Sequence, residues 1–279
     1  MTNRDATSGT YRGRNSTADR TLDILLLYTA DKPVWTGSDI AARLGVARST
    51  AYRYLQSLIG TGLIEETEGG FRIGPRIFDL ARSARTECGL SEVSLPAMRK
   101  LAAQLDGTVL LTRRSGRSVV CVELIEARPA VRLSYDRGLA LPINAGAAAE
   151  VLLAWADPHE ISMLLDSGPL ARFTSRTLAA PDTLRARFTQ IRNRGVAITR
   201  GELDEHILGV SAPIRDVTGA VCAAISVAAL AARVRKGELK NLATAVCRAA
   251  TAITHELERT AKGCPESRDR LIDQTATGF

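Results

Sequence analysis

SDIAARLGVARSTAYRYLQSLI, residues 38–59, is the stretch that decides the fold. Ser38 can cap a short helix over Asp39–Leu44, and Gly45 supplies the left-handed residue that a tight turn between helices needs. A second helix follows over about Ala47–Ile59. It carries Ala51, Leu55, Leu58 and Ile59 on one face and Arg48, Ser49, Tyr52, Arg53 and Gln56 on the other. Between Asp39 and Glu65 the only charged side chains are Arg43, Arg48 and Arg53, so no carboxylate repels a polyanion approaching these two helices. Arginine pairs with phosphate, or with the major-groove edge of guanine, through two parallel N–H donors. Ser49, Thr50 and Gln56 add hydrogen bonds, and Tyr52 adds a ring and a hydroxyl. The pattern reads as a helix-turn-helix for double-stranded DNA, with Arg43, Arg48, Ser49, Thr50, Tyr52, Arg53 and Gln56 as contact residues. The alternative is the solvated face of an ordinary helical bundle, and the segment that follows weighs against it.

After Gly62, Leu63–Glu66 and Phe71–Ile73 read as two short strands joined through Glu68, Gly69 and Gly70, a β-hairpin wing. Gly74 and Pro75 open a helix that runs to about Cys88 and links the two halves of the chain. Upstream, Leu22, Leu25, Leu26 and Thr29 recur at helical spacing behind Ser16 or Thr17 as cap, and Pro33 ends that helix's reach. Residues 1–16 hold hardly an apolar side chain and are expected to form a disordered tail. The first half is thus divided into a tail over 1–16, a winged helix-turn-helix over 17–74 and a linker helix over 75–89.

The second half mixes periods. An amphipathic helix over Leu90–Leu105 precedes strands at Thr108–Thr112, Val119–Ile125 and Val131–Ser134, with turns at Ser115-Gly116 and Arg128-Pro129. Helices are expected at Gly146–Trp155, Pro158–Leu165 and Pro181–Arg194. Strands follow at Val196–Thr199, Gly209–Ile214 and Val221–Ala228, and then a closing helix at Gly237–Arg259. Strands flank helices without a βαβ repeat, which gives an α+β domain over 90–260. The polar stretch 261–279 reads as a second disordered tail.

A chain of 279 residues can bury two cores, and its net charge of +7 leans toward a polyanionic partner. Five cysteines, an odd number without C-x-x-C spacing, argue against both a disulfide framework and a zinc knuckle, so they are expected to be reduced and mostly buried. The longest apolar runs, such as Val221–Ala232, are too short to cross a bilayer. No charged-then-apolar leader opens the chain, so it is expected to stay in the cytoplasm, away from membranes.

The segments Asp19–Leu25, Ile40–Leu55, Gly62–Ile64 and Phe71–Arg76 resemble the IclR family of bacterial regulators. So do Arg137–Pro142, Arg172–Thr174, Ile191–Gly195 and Ser211–Asp216, and the resemblance covers about Thr17–Arg259. It implies a GAF-like effector-binding domain joined by the linker helix to the winged helix-turn-helix, in a homodimer or homotetramer. Where the family usually has a small residue followed by Gly-Lys, this chain reads Ala148-Ala149-Glu150, an anion in place of a cation. Family members that bind small keto acids use a cysteine and two serines at positions matched here by Gly209, Ser226 and Ala228, so one polar contact survives. The expected effector pocket is walled by the loop 138–142, the start of the helix at 145–149 and the late strand. Its residues are Leu141, Gly146, Ala147, Ala148, Gly209, Ser226 and Ala228. A helix start offers free N–H groups to a carboxylate and the small side chains leave room, so the effector is expected to be an aromatic or medium-chain organic acid. Glu150 is expected to face solvent or to repel anions.

Catalysis has little foothold. His159, His206 and His255 stand near no nucleophile motif, and neither G-x-G-x-x-G nor G-x-x-x-x-G-K-[S/T] occurs, so no enzyme and no cofactor are expected. Glu202-Leu203-Asp204-Glu205-His206 could hold a metal, rim the effector pocket or be a plain solvated loop. The seven arginines between Ala171 and Arg200, against the single acid Asp182, read as a solvated face, a subunit contact or a second polyanion contact. The reading is a ligand-responsive regulator of a catabolic operon. A binding module without DNA activity and, remotely, a metal-dependent enzyme are the alternatives.

Overall fold

The computed structural model describes residues 16–29, 31–105, 107–126 and 135–263. The tails, apart from Ser16 and residues 261–263, lie outside the described residues, as do the strand Val131–Ser134 and the turn Arg128-Pro129. The chain divides after Cys88 into two compact units.

In the first unit α1 (Thr17–Leu25) is capped by Ser16, whose hydroxyl accepts from the Asp19 N–H. Next come β1 (Val34–Trp35), α2 (Gly37–Leu44), α3 (Arg48–Gly60), β2 (Ile64–Thr67), β3 (Gly70–Ile73) and α4 (Arg76–Cys88). The cap of α2 is Thr36 and not the expected Ser38. Thr36 is extended and its hydroxyl accepts from the Asp39 N–H at 3.1 Å, while Ser38 falls inside the first turn. Gly45 is left-handed, as the turn requires. The wing is a three-stranded antiparallel sheet, β1-β3-β2, with Val34-Trp35 laid against Arg72-Phe71. Ile24, Ile40, Ala51, Leu55, Leu58 and Phe71 meet in one apolar core.

Two apolar stripes differ from expectation. On α1 the buried apolar residue is Ile24, beside buried Asp23, and past the helix end Leu27 is buried, while Leu22 and Leu26 are exposed. The helix stops at Leu25, so 3.6-residue spacing does not carry on to Thr29, and Trp35 fixes the chain there by donating its indole N–H to the Leu27 carbonyl at 3.1 Å. On α3 Tyr54 joins the buried face and Ile59 turns outward.

The second unit is a three-layer arrangement. Its elements are α5 (Leu90–Ala102), β4 (Thr108–Ser115), β5 (Ser118–Glu126), β6 (Ala140–Pro142), α6 (Ala147–Ala154), α7 (Pro158–Leu165), α8 (Pro181–Arg194), β7 (Ala197–Arg200), β8 (Ile207–Arg215), β9 (Val221–Leu230) and α9 (Lys236–Gly263). The six strands form one antiparallel sheet in the order β6-β5-β4-β9-β8-β7. Successive side chains of a strand point to opposite faces, and this alternation builds two cores. Leu111, Val210, Ile225 and Val227 pack under α5 and α9. The opposite face of the sheet, with Ala224, packs under α6, α7 and α8, where Leu153, Leu165 and Phe188 are buried. Fully burying side chains of this size contributes about 1.5–3 kcal/mol each. Leu110, Gly209, Ser226 and Ala228 sit at the alternate strand positions, on the α6 side, and that is where the cavity described below lies.

Candidate nucleic-acid interface and ligand cavity

Helix α3 presents Arg48, Ser49, Arg53 and Gln56 to solvent, with Arg43 exposed on the last turn of α2 and Thr50 half-buried. Tyr52 is 47% exposed, yet its ring is anchored. It stacks edge-on against Phe71 of the wing at 5.9 Å and covers Gly37 so closely that a Cβ there would lie 2.7 Å from the ring. Arg43, Arg48 and Arg53 form no ion pair with any described residue, so their guanidinium groups are available to phosphate or to base edges. The first turn of α3 has no side-chain cap, and its free N–H groups add to the attraction for an anion. The wing contributes less. Glu65, Glu66 and Glu68 make it acidic, and Arg72 is spent on Glu65, a limit readable in the sequence but not drawn from it.

In the second unit Leu141, Gly146, Ala147, Ala148, Gly209, Ser226 and Ala228, all seven expected effector residues, line one cavity of about 50 Å³. Glu202, Leu203 and Asp204, from the loop that the sequence offers as one possible rim, and Tyr135 and Thr199, which no sequence signal marks, complete its polar and loop-borne wall. Of the stretch 138–142 only Leu141 reaches the cavity, because Ala140–Pro142 is the edge strand β6. Gly146, at φ 92°, is the cap position of α6 and makes no side-chain capping bond, so the first N–H groups of the helix stay open. Gly209 has a different reason to be small. A Cβ there would lie 2.7 Å from the Thr199 hydroxyl and 3.2 Å from Ala147 Cβ, so glycine lets the start of α6 rest on β8.

Glu150 departs from the first of its two expected placements. It is 1% exposed and points inward, not to solvent. Its Oε2 lies 3.8 Å from Arg187 Nη1, and neither of its oxygens accepts a hydrogen bond from a described residue. Burial first, and the charge of Glu202 second, push its carboxyl up to about 8, against the pull of Arg187. Glu202 is also raised by burial. Its Oε1 accepts from Arg187 Nη2 at 3.2 Å, and its carbonyl accepts from the Thr177 hydroxyl at 2.6 Å. Thr174 donates to the Gly201 carbonyl at 2.6 Å, so the segment 172–177 holds the 201–206 loop over the cavity.

Among the described residues, that loop included, no group of three or more His, Cys, Asp or Glu is placed to hold a metal ion. Five of the seven arginines of the run, Arg187 included, are engaged within the chain. Arg172 donates to the Thr177 carbonyl, Arg185 pairs with Asp166, Arg192 donates to the Ala154 carbonyl and Arg200 to the Ala231 carbonyl. Cys121 is buried, and Cys222 and Cys247 are half-buried and in no disulfide among the described residues. No helix among the described residues is long and apolar enough to cross a membrane.

Residues 17–68 match the family described as the IclR helix-turn-helix domain, and residues 83–255 match the bacterial transcriptional regulator IclR C-terminal family. The HTH-type transcriptional regulator BhcR of Paracoccus denitrificans is 31% identical over 238 residues, which cover 85% of this chain and 85% of that one. A crystal structure of an IclR regulator from a Silicibacter species superposes with a TM-score of 0.80 at 23% identity, over 87% of this chain and 96% of the other, and so shares the fold. An IclR homolog from Microbacterium hydrocarbonoxydans complexed with 4-hydroxybenzoate superposes with a TM-score of 0.74 at 26% identity, over 88% of this chain and 100% of the other. These relatives are transcriptional regulators and not enzymes, and the chain, with a helix-turn-helix DNA-binding domain and a ligand-binding C-terminal domain, belongs to the IclR family of bacterial transcriptional regulators.

Proposed function

We propose that this regulator acts in the cytoplasm as a homodimer or homotetramer. It binds an operator beside a catabolic operon through the exposed face of α3 and responds to an aromatic or medium-chain organic acid held in the cavity at the start of α6. The observation that carries this reading is the convergence of Leu141, Gly146, Ala147, Ala148, Gly209, Ser226 and Ala228 on one cavity in the ligand-binding half. The complex of the Microbacterium homolog with 4-hydroxybenzoate favours an aromatic acid over a two- or three-carbon keto acid. In the DNA-binding half, Arg43, Arg48 and Arg53 supply phosphate or guanine contacts, and Ser49, Thr50, Tyr52 and Gln56 set the register.

At about 50 Å³ the cavity holds little more than a water, whereas small-molecule sites run to roughly 300–1,000 Å³. Effector binding therefore parts the 201–206 loop from α6, and an effector that binds the parted form better shifts the population toward it. The test is a thermal-shift titration of the full chain with 4-hydroxybenzoate and hexanoate beside glyoxylate and pyruvate, followed by a gel shift on operator DNA. Stabilisation by the larger acids, with a changed gel shift, supports the reading. Stabilisation by the keto acids alone refutes the assigned effector class.

A further inference from the structure

The polar groups of the cavity are sorted by position. Free backbone N–H donors stand at the start of α6. The charged side chains that line the cavity are Glu202 and Asp204, and no Lys or Arg joins them among the described residues. Arg187, the nearest cation to Glu202, is already used: it donates to Glu202 and to the Ile198 carbonyl and faces Glu150. Ser226 also lines the cavity, but its proton is committed to Ser211 at 2.8 Å, and Ser211 in turn donates to the Ile225 carbonyl at 3.3 Å. Ser226 thus offers the cavity lone pairs alone. Tyr135 and Thr199 can serve as donors or acceptors. One end of the cavity donates, and the wall formed by Glu202, Asp204 and Ser226 accepts.

We propose that Glu202 is the specificity-determining residue of this cavity, selecting an effector that carries an acid group for the start of α6 and also a hydroxyl that donates to Glu202, with Ser226 as a second acceptor. The inference rests on the reading that this cavity holds an organic-acid effector, and it narrows that class to hydroxy acids. An acid without the hydroxyl strips water from a buried carboxylate and returns no donor, which lowers affinity by about tenfold to a hundredfold. Glu150 reinforces the choice. It occupies the place where the resemblance calls for a lysine, and its inward carboxyl gives no cation to the acceptor wall.

The experiment is calorimetric titration of the full chain with two matched pairs: 4-hydroxybenzoate against benzoate, and terminally hydroxylated hexanoate against hexanoate. The hydroxylated member of at least one pair is expected to bind ten times tighter or more. In Glu202→Gln that ratio is expected to fall toward unity while operator binding without ligand is kept. Ser226→Ala, which removes no charge and leaves Arg187 paired, is expected to lower the ratio a few-fold and covers the case in which Glu202→Gln does not fold. Equal affinities within both pairs, or tighter binding of the unhydroxylated members, overturn this inference and leave the organic-acid reading standing. No binding by any of the four overturns both.

Discussion

Replacing Glu150 by glutamine tests whether a carboxylic acid is held neutral inside the ligand-binding domain. The side chain is 1% exposed, and its carboxyl titrates near 8 in the folded chain against an ordinary 4.5. Between those values the folded state keeps a proton that the unfolded state has released. Stability from this group is therefore fully present below about pH 4.5 and declines as pH rises toward 8. At about 1.4 kcal/mol per pH unit, the wild type loses roughly 3 kcal/mol from pH 5 to pH 7 on this account. For a domain of this size that amounts to roughly 6–12 °C in melting temperature. Glu202 is raised as well, so the slope belongs to the pair. Glu150→Gln keeps the shape and cannot ionise. Its amide carries its own cost, but that cost is constant with pH, so the slope and not the absolute stability is the readout. Thermal melts and urea unfolding of both proteins from pH 5 to pH 8 should give a steeper decline for the wild type. Parallel curves would falsify the buried-proton account.

Arg48→Ala with Arg53→Ala should weaken operator binding in a gel shift; a phosphate contact lowers affinity on every sequence and flattens the salt dependence, while a base contact costs ~1–3 kcal/mol on the operator alone. Unchanged affinity in the double variant would remove α3 as the reading helix. Light scattering at micromolar concentration should give at least a dimer mass, since one α3 buries too little surface for operator affinity. Gly146→Leu should fill the mouth of the cavity, its Cβ 3.8 Å from Leu203 Cδ2, and abolish the effector response while operator binding is kept; at φ 92° the leucine is also strained, so a lowered melting temperature accompanies it. A retained response at unchanged effector concentration would place the pocket elsewhere. Gly209→Ala should lower stability on the order of 1–3 kcal/mol in urea unfolding, because its Cβ meets Thr199 and Ala147.

The helix-turn-helix was legible because its signals are local. Gly45 dictates the turn, and the free charge of Arg43, Arg48 and Arg53 needs no tertiary partner to be read. The errors came where tertiary context chose between local options. Thr36 and Ser38 are both competent caps, and the extended chain arriving from β1 selects Thr36. Leu22 and Leu26 fit a helical stripe, yet α1 ends at Leu25 and the core is filled by Ile24 and Leu27. The strands β1 and β6, of two and three residues, exist only because β3 and β5 offer them an edge, and no periodicity can announce so short a segment.

The cavity divides along the same line. Its small residues were readable, since Gly146, Ala147, Ala148 and Gly209 can leave space wherever the helix and strand meet. The rim Glu202–His206 is readable as one option among three, but the buried acid behind it is not, because an acid in the first turn of a helix is ordinarily satisfied by the dipole and by water, and Glu150 in sequence looks like any such residue. Only the packing of α8 across α6 brings Arg187 within 3.8 Å of it, and only the return of the chain from β7 sets Glu202 beside the same guanidinium at 3.2 Å. Three residues separated by 37 and by 15 positions then share one cation between two carboxyls. An apolar residue at 202 removes the carboxylate that Arg187 donates to, whereas one at 150 leaves that pair in place, and loss of the arginine leaves two carboxyls facing each other in a buried site. The character of the cavity is therefore set by how its helices pack: a change at Glu202 acts on the ligand directly, while Glu150 and Arg187, which do not line the cavity, act through Glu202.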